Sequence, residues 1–253
     1  MMAAASILPT IVFIDRHDNY ISKLQSQLAV IDAPFNMEFL IESIQNVNEP
    51  DAIYVSPANS FGYMDGGIDY VYSRMMFPKV ENNIKRMIGS LGLDFDGSYY
   101  LPIGCTLAVQ TEFLANQYMI CAPTMLIPEN VSDTQNAYYV MYAILRLILK
   151  LTRVANLKIK KIFIPGLGTG IGGIAPESYC LQILAAIQDF IRDYTNGMGV
   201  ADITSSIVAA HPAMHPYIFI RDKYYEDIML KQPNYLMEHR KMMAAIELAS
   251  RFR

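Results

Sequence analysis

The chain has 253 residues, 53% of them hydrophobic, which is enough to bury a substantial core and to build one large domain or one domain with an extension. A formal net charge of −4 without any Lys/Arg stripe argues against a protein that coats nucleic acid. The apolar run Met1 to Ile14 lacks the basic region of a signal peptide, and the run Ala137 to Leu151 is short and interrupted by Arg146 and Lys150, so no membrane insertion is expected.

Ile11 to Ile14 reads as a short buried strand whose carboxyl edge carries Asp15, Arg16 and His17. Asn19 to Val30 has helical spacing, with Ile21, Leu24 and Leu28 on one face. Met37 to Ile41 is a second strand, and Asp51 to Val55 a third. A helix opens near Asp69, runs through Tyr70 to Met76, and resumes over Lys79 to Ile88, ending at Gly89. Gly89 to Ser98 reads as loop.

Cys105 to Thr111 and Gln117 to Ala122 are two further strands, expected to be neighbours in one sheet. Ser132 or Asp133 is placed to cap a long helix over Gln135 to Leu151, which is apolar nearly all round, as a helix packed on a sheet is. Ile159 to Ile164 is a buried strand, and Pro176-Glu177 starts a helix to about Tyr194. Asp202 to Ala210 gives a last strand, and Tyr217 to Arg253 reads as two polar-faced helices broken at Pro233-Asn234. Strands separated by helices place the fold in the α/β class, with a mainly parallel or mixed sheet covered on both faces.

Cys105, Cys121 and Cys180 show neither CxxC nor Cys/His ligand spacing. They are expected as buried free thiols in a reducing, cytoplasmic setting, with no metal implied. No G-x-S-x-G or H-E-x-x-H motif supports serine-nucleophile or zinc chemistry.

Two stretches carry the functional signal. In the first, Ile53 to Val55 stops at Ser56-Pro57, a polar Asn59 follows, and Gly62, Gly66 and Gly67 fall close together before Asp69. In the second, Lys161 to Ile164 runs into Pro165-Gly166-Leu167-Gly168-Thr169-Gly170-Ile171-Gly172-Gly173. Glycine lets backbone N–H groups face a ligand without Cβ interference, and a following helix start adds partial positive charge, so an anionic phosphate is the natural occupant of each loop. Together the loops are expected to hold one diphosphate. Gly62, Gly89 and Gly92 read instead as turn or cap residues.

The second loop taken alone has the Gly168-x-Gly170-x-x-Gly173 spacing of a dinucleotide fingerprint. The acidic residue that should end the next strand is missing, because Asp189 and Asp193 fall in a helical stretch. A dinucleotide-binding oxidoreductase is therefore the weakest reading.

Taken together, Asn59 with Gly66-Gly67-Ile68-Asp69, and Pro165 to Gly170 with its Thr169-Gly170, resemble the macrodomain family of α/β/α modules that bind ADP-ribose. The resemblance runs from Ile11 to about Ala210 and includes the strand end Ala122-Pro123-Thr124. It is nearest to the fungal-type branch, on Ser56-Pro57-x-Asn59-Ser60-Phe61-Gly62-Tyr63 and Ile164-Pro165-Gly166-Leu167, whose members include ADP-ribose-1″-phosphate phosphatases. It implies a three-layer α/β/α macrodomain over residues 1–215 with a mixed central sheet, and a C-terminal helical extension over 216–253.

The resemblance also implies roles. Asp15 accepts from the adenine amino group, or else caps the following helix. Asn59 contacts the distal ribose, with Ser60 beside it. The backbone of Gly66, Gly67 and Ile68, and of Gly168, Thr169, Gly170, Ile171 and Gly172, lines the diphosphate. Asp69 orients or activates water near the distal ribose, or stabilises a helix start, or both. Apart from the resemblance, His17, two residues past the strand end, reads as either a general acid or base or a surface loop residue. Many members place an aromatic residue after the Thr-Gly of the second loop, where this chain has Ile171-Gly172. That leaves room for a bulkier or more charged distal group, with Phe61, Tyr63 or Met64 as alternative walls or as core.

The expected function is hydrolysis of an ADP-ribose derivative at the distal ribose, either a 1″-phosphate or a mono-ADP-ribosyl linkage, without a cofactor. The alternative is a non-catalytic ADP-ribose or nucleotide reader. ADP-ribose or a derivative is the expected partner, and neither membrane nor nucleic acid is.

Overall fold

The β-branched and aromatic runs form a six-stranded sheet in the computed structural model, which describes residues 8–91, 94–95, 98–153 and 155–197. The elements are β1 (Thr10–Asp15), α1 (Ile21–Leu28), β2 (Met37–Ile41), β3 (Ala52–Ser56), α2 (Gly67–Tyr70), α3 (Val80–Leu91), β4 (Asp94–Phe95), β5 (Ser98–Tyr99), β6 (Leu107–Gln110), β7 (Tyr118–Cys121), α4 (Asn136–Arg153), β8 (Lys161–Ile164) and α5 (Pro176–Thr195). The strand expected over Asp202 to Ala210, His211, His215 and His239, and the extension over 216–253, lie outside the described residues, as does Gly92.

The sheet order is β2-β1-β8-β3-β7-β6. The first five are parallel, and β6 closes the far edge antiparallel to β7, with Ala108 opposite Ile120. The interior strands are buried on both faces, so β1, β3, β7 and β8 read as continuous apolar runs, while the edge strand β2 is only half-buried. Alternate residues feed two cores. Ile11, Phe13, Ile53, Val55, Ile120, Ile162 and Ile164 pack under α1, α4 and α5. Val12, Ile14, Tyr54, Met119, Cys121 and Phe163 pack on the other face with residues of α3 and of the segment before it. The mixed three-layer α/β/α sandwich follows directly from this alternation. The three cysteines are buried free thiols. No described helix is long and apolar enough to cross a membrane.

Three local expectations are corrected. The helix after the first glycine loop is not one continuous α-helix: α2 gives way to a π-helical turn over Val71–Met76, closed by the Phe77 N–H donating to the Tyr72 carbonyl at 2.7 Å. Tyr72 is drawn beneath the sheet by ring contacts with Tyr54 and Phe77. Next, α3 continues past Gly89 to Leu91, since Ile84, Met87 and Ile88 keep its buried face in register and Tyr99 of the β4–β5 pair packs beside Gly89. Finally, the side chain at the start of α4 is Thr134, whose Oγ1 accepts from the Asn136 N–H; neither Ser132 nor Asp133 serves there.

Candidate functional site

Parallel strands deliver their carboxyl ends to one side of the sheet, and ligand crevices form where strand order reverses. In this chain β1 connects to β2 on one side, β3 lies on the other, and β8 sits between. The loops leaving these strands enclose a cavity of about 490 Å³. Its wall follows the sheet order. Glu42 to Gln45 follow β2, Asp15 ends β1 with Arg16 and His17 after it, Pro165, Gly166 and Gly168 to Gly172 follow β8, Asn59, Tyr63 and Asp65 to Asp69 follow β3, and Thr124, Met125 and Pro128 follow β7.

Gly66, Gly67 and Ile68 of the first loop and Gly168, Thr169, Gly170, Ile171 and Gly172 of the second all line this one cavity. Carbonyls of the second loop turn inward: Gly172 accepts from the Val131 N–H, Gly168 from the Ile174 N–H, and Gly170 from the Gly173 N–H. None of the N–H groups from Gly168 to Gly172 donates to another described residue. The opening N–H groups of α2 likewise have no intrahelical acceptor. Two sets of backbone donors therefore border the same space, an arrangement that suits a polyanion.

Glycine is required in this loop by close approach. A Cβ on Gly172 would meet the Gly168 carbonyl oxygen at 2.5 Å and Val131 at 2.8 Å, and one on Gly166 would meet the Thr169 hydroxyl at 2.2 Å. At Gly170 a Cβ would meet nothing within 4 Å. Gly62 takes φ +70° in a tight turn against Ile84.

Asp69 lies on the cavity wall, and Ser56, the last residue of β3, donates its hydroxyl to Asp69 Oδ1 at 2.6 Å. Burial of the carboxyl pushes its pKa up to about 7; the Ser56 hydrogen bond pulls it down, and the neighbouring charges of Asp65 and Glu81 push it up. A carboxyl held near neutrality takes or gives a proton at physiological pH.

Asp15 and His17 both line the cavity, with the His17 N–H donating to Asp15 Oδ1 at 2.9 Å. At the start of α1 it is Asp18, not Asp15, that accepts from a helix N–H, that of Ser22 at 2.8 Å.

Asn59 lines the cavity too, yet it has a structural duty that its sequence neighbours do not reveal. Its Oδ1 accepts from the N–H groups of Phe61 and Tyr63, and its Nδ2 donates to the Tyr63 carbonyl. Ser60 does not line the cavity. It is fully buried, and its N–H donates to the carbonyls of Met125 and Leu126 because the loop is tied there to the segment after β7. Of the three candidate walls, Met64 is core and Phe61 is buried against Tyr100 and Leu126; Tyr63 alone lines the cavity.

Glu42, Ser43, Ile44 and Gln45 were not legible as site residues, because an ordinary polar turn after an edge strand carries no motif. Thr124 and Met125 had a weak signal in the Pro123-Thr124 strand end. Arg16 and Asn19 complete the wall beside β1.

The Macro domain family model matches residues 55–183, which span both glycine loops but not β1. An uncharacterized protein of Aquifex aeolicus (strain VF5) is 27% identical over 166 residues, covering 65% of this chain and 90% of that relative. A solved macrodomain mutant of Oceanobacillus iheyensis with ADPR aligns to 58% of this chain and 73% of its own, at 18% identity and a TM-score of 0.44. With the family model covering more than half of its residues, this chain belongs to the macro domain family.

Proposed function

We propose that the cleft binds ADP-ribose or a derivative and that the protein hydrolyses a bond at the distal ribose. The observation that carries this reading is the meeting of two glycine loops, about a hundred residues apart in sequence, on one cavity with a near-neutral carboxyl in its wall. The relative solved with ADPR supports the choice of ligand only through family membership.

In this reading the diphosphate lies across the N–H groups of Gly66 to Ile68 and Gly168 to Gly172. The adenosine points toward Asp15, His17 and Glu42 to Gln45, and the distal ribose toward Asn59, Tyr63, Thr124 and Met125. His17 and Asn59 leave strands separated by β8, two strand spacings or about 9.6 Å apart. We therefore assign His17 to the nucleotide end and the proton transfer to Asp69. Its carboxylate takes a proton from the water that attacks the distal ribose, and the leaving group departs with the bonding electrons and is protonated by solvent. Binding supplies the rest of the catalysis by holding the ribose over that water.

The Ser56-to-Tyr63 and Ile164-to-Leu167 runs support placement in the fungal-type branch, which makes an ADP-ribose-1″-phosphate or a mono-ADP-ribosyl linkage the substrate. One observation favours the non-catalytic reader: the Asn59 amide is spent on its own loop.

Release of ADP-ribose from ADP-ribose-1″-phosphate and from mono-ADP-ribosylated protein decides between the two. The hydrolase reading predicts turnover of at least one substrate, and a loss of about 100-fold or more in Asp69→Asn. ADP-ribose affinity in that variant stays within about tenfold. Binding without turnover of either substrate leaves only the reader.

A further inference from the structure

Helix α4 carries two cations that the cleft does not use. Arg146 and Lys150 interrupt its apolar run, and at a spacing of four residues they share one face of the helix. Lys150 is fully buried, and its Nζ has no hydrogen-bond partner. Arg146 is half-buried, with its Nε buried and equally unpartnered. Elsewhere the chain neutralises its buried charges, as Arg74 and Lys85 do for Glu81 at 2.8 and 2.7 Å. Among the described residues no carboxylate pairs with Arg146 or Lys150, and the neighbouring charge acting on Lys150 is the like charge of Arg146.

Two explanations internal to the helix fall short. The partial negative charge at the end of α4 favours cations in its last turn, but it offsets only a fraction of the cost of burying an unpaired ion. Nor does Lys150 shed its charge: burial and Arg146 pull its pKa down to about 8, which leaves it mostly protonated at pH 7. A buried ammonium beside a guanidinium edge calls for an anion. The Nε–H and an adjacent Nη–H of arginine form a planar fork matched to two oxygens of an oxyanion, and an ammonium is a point donor to a third.

We propose that Arg146 and Lys150 form a second anion site, taking a compact oxyanion of the phosphate class between the Arg146 fork and the Lys150 ammonium. Half-buried Arg146 is its entrance. The site is separate from the cleft. Asn136, the first residue of α4, donates its Nδ2 to the carbonyl of Thr124 on the cleft wall, and Lys150 lies about 21 Å from Asn136 along the helix axis.

Calorimetric titration of the full chain with inorganic phosphate at fixed ionic strength tests this, with Gly170→Val as the background that obstructs the cleft. Gly170→Val should still bind phosphate, and adding Lys150→Met or Arg146→Gln should each weaken that binding about tenfold or more. Arg146→Gln changes a half-buried position, so it decides the matter even where Lys150→Met does not fold. Phosphate binding that disappears in Gly170→Val alone belongs to the cleft and overturns the second site. Binding that neither added substitution weakens, or a wild-type chain that takes no phosphate, overturns it as well.

Discussion

In the proposed hydrolase the proton transfer falls to Asp69, whose protonation is governed by what encloses it. Burial raises its pKa to about 7, and the Ser56 hydroxyl is the one contact that works the other way. A base must be ionised, so hydrolysis should rise with pH through about 7. Ser56→Ala should move that limb to higher pH, and Ser56→Thr, which keeps the hydroxyl, should return it. The pH–rate profiles of the three proteins check this, and an unmoved limb in Ser56→Ala would detach Ser56 from the carboxyl. The same shift has a stability consequence. A carboxyl with a pKa near 4 in the unfolded chain and about 7 in the folded one favours folding when protonated. Its contribution is complete below about pH 4 and is lost as pH rises through about 7. Glu129, also pushed up to about 7 by burial, acts in the same direction. The melting temperature should therefore fall between pH 5 and pH 8, and Asp69→Asn should flatten part of that fall. Asp69 was readable from its place after two glycines. The hydrogen bond from Ser56 was not, because it joins a strand end to a helix start through the folded sheet.

The glycine loops show why element identity and element geometry are separately legible. Their composition announced backbone donors, but the reason for each glycine differs and emerges only in three dimensions. Gly172 is needed by the fold, since a Cβ would press on the Gly168 carbonyl, whereas Gly170 has open space around it. Gly172→Ala should therefore lower the melting temperature by several degrees, consistent with a loss of roughly 1–3 kcal/mol from overpacking. Gly170→Val should melt within a degree or so of wild type yet lose ADP-ribose binding, because its side chain projects into the cleft wall. Thermal unfolding and calorimetry on both variants separate these effects, and a fold-neutral Gly172→Ala would contradict the packing described. Periodicity gave α4 and α5 nearly to their ends, since each buries a wide apolar face. It missed the π turn over Val71–Met76, where ring packing beneath the sheet, rather than spacing along the chain, sets the winding.

At the scale of the whole molecule, the architecture was open to sequence reasoning because four interior strands must be apolar on both faces, and helices between them must cover the sheet. Strand order was not, because nothing local tells β8 to insert between β1 and β3. That insertion is what sets the second glycine loop beside the first and turns two separate motifs into one cleft. The residues after β2 belong to the site for the same reason: the edge strand is brought alongside β1, and its polar turn becomes cleft wall. A single ligand bridging the two loops is the central claim. Titration of uniformly 15N-labelled protein with ADP-ribose, followed by amide chemical shifts, tests it most directly. The amides of Gly66 to Ile68 and of Gly168 to Gly172 should shift together along one binding curve with a common Kd. Movement of one loop alone, or two curves with different midpoints, would contradict a shared diphosphate site.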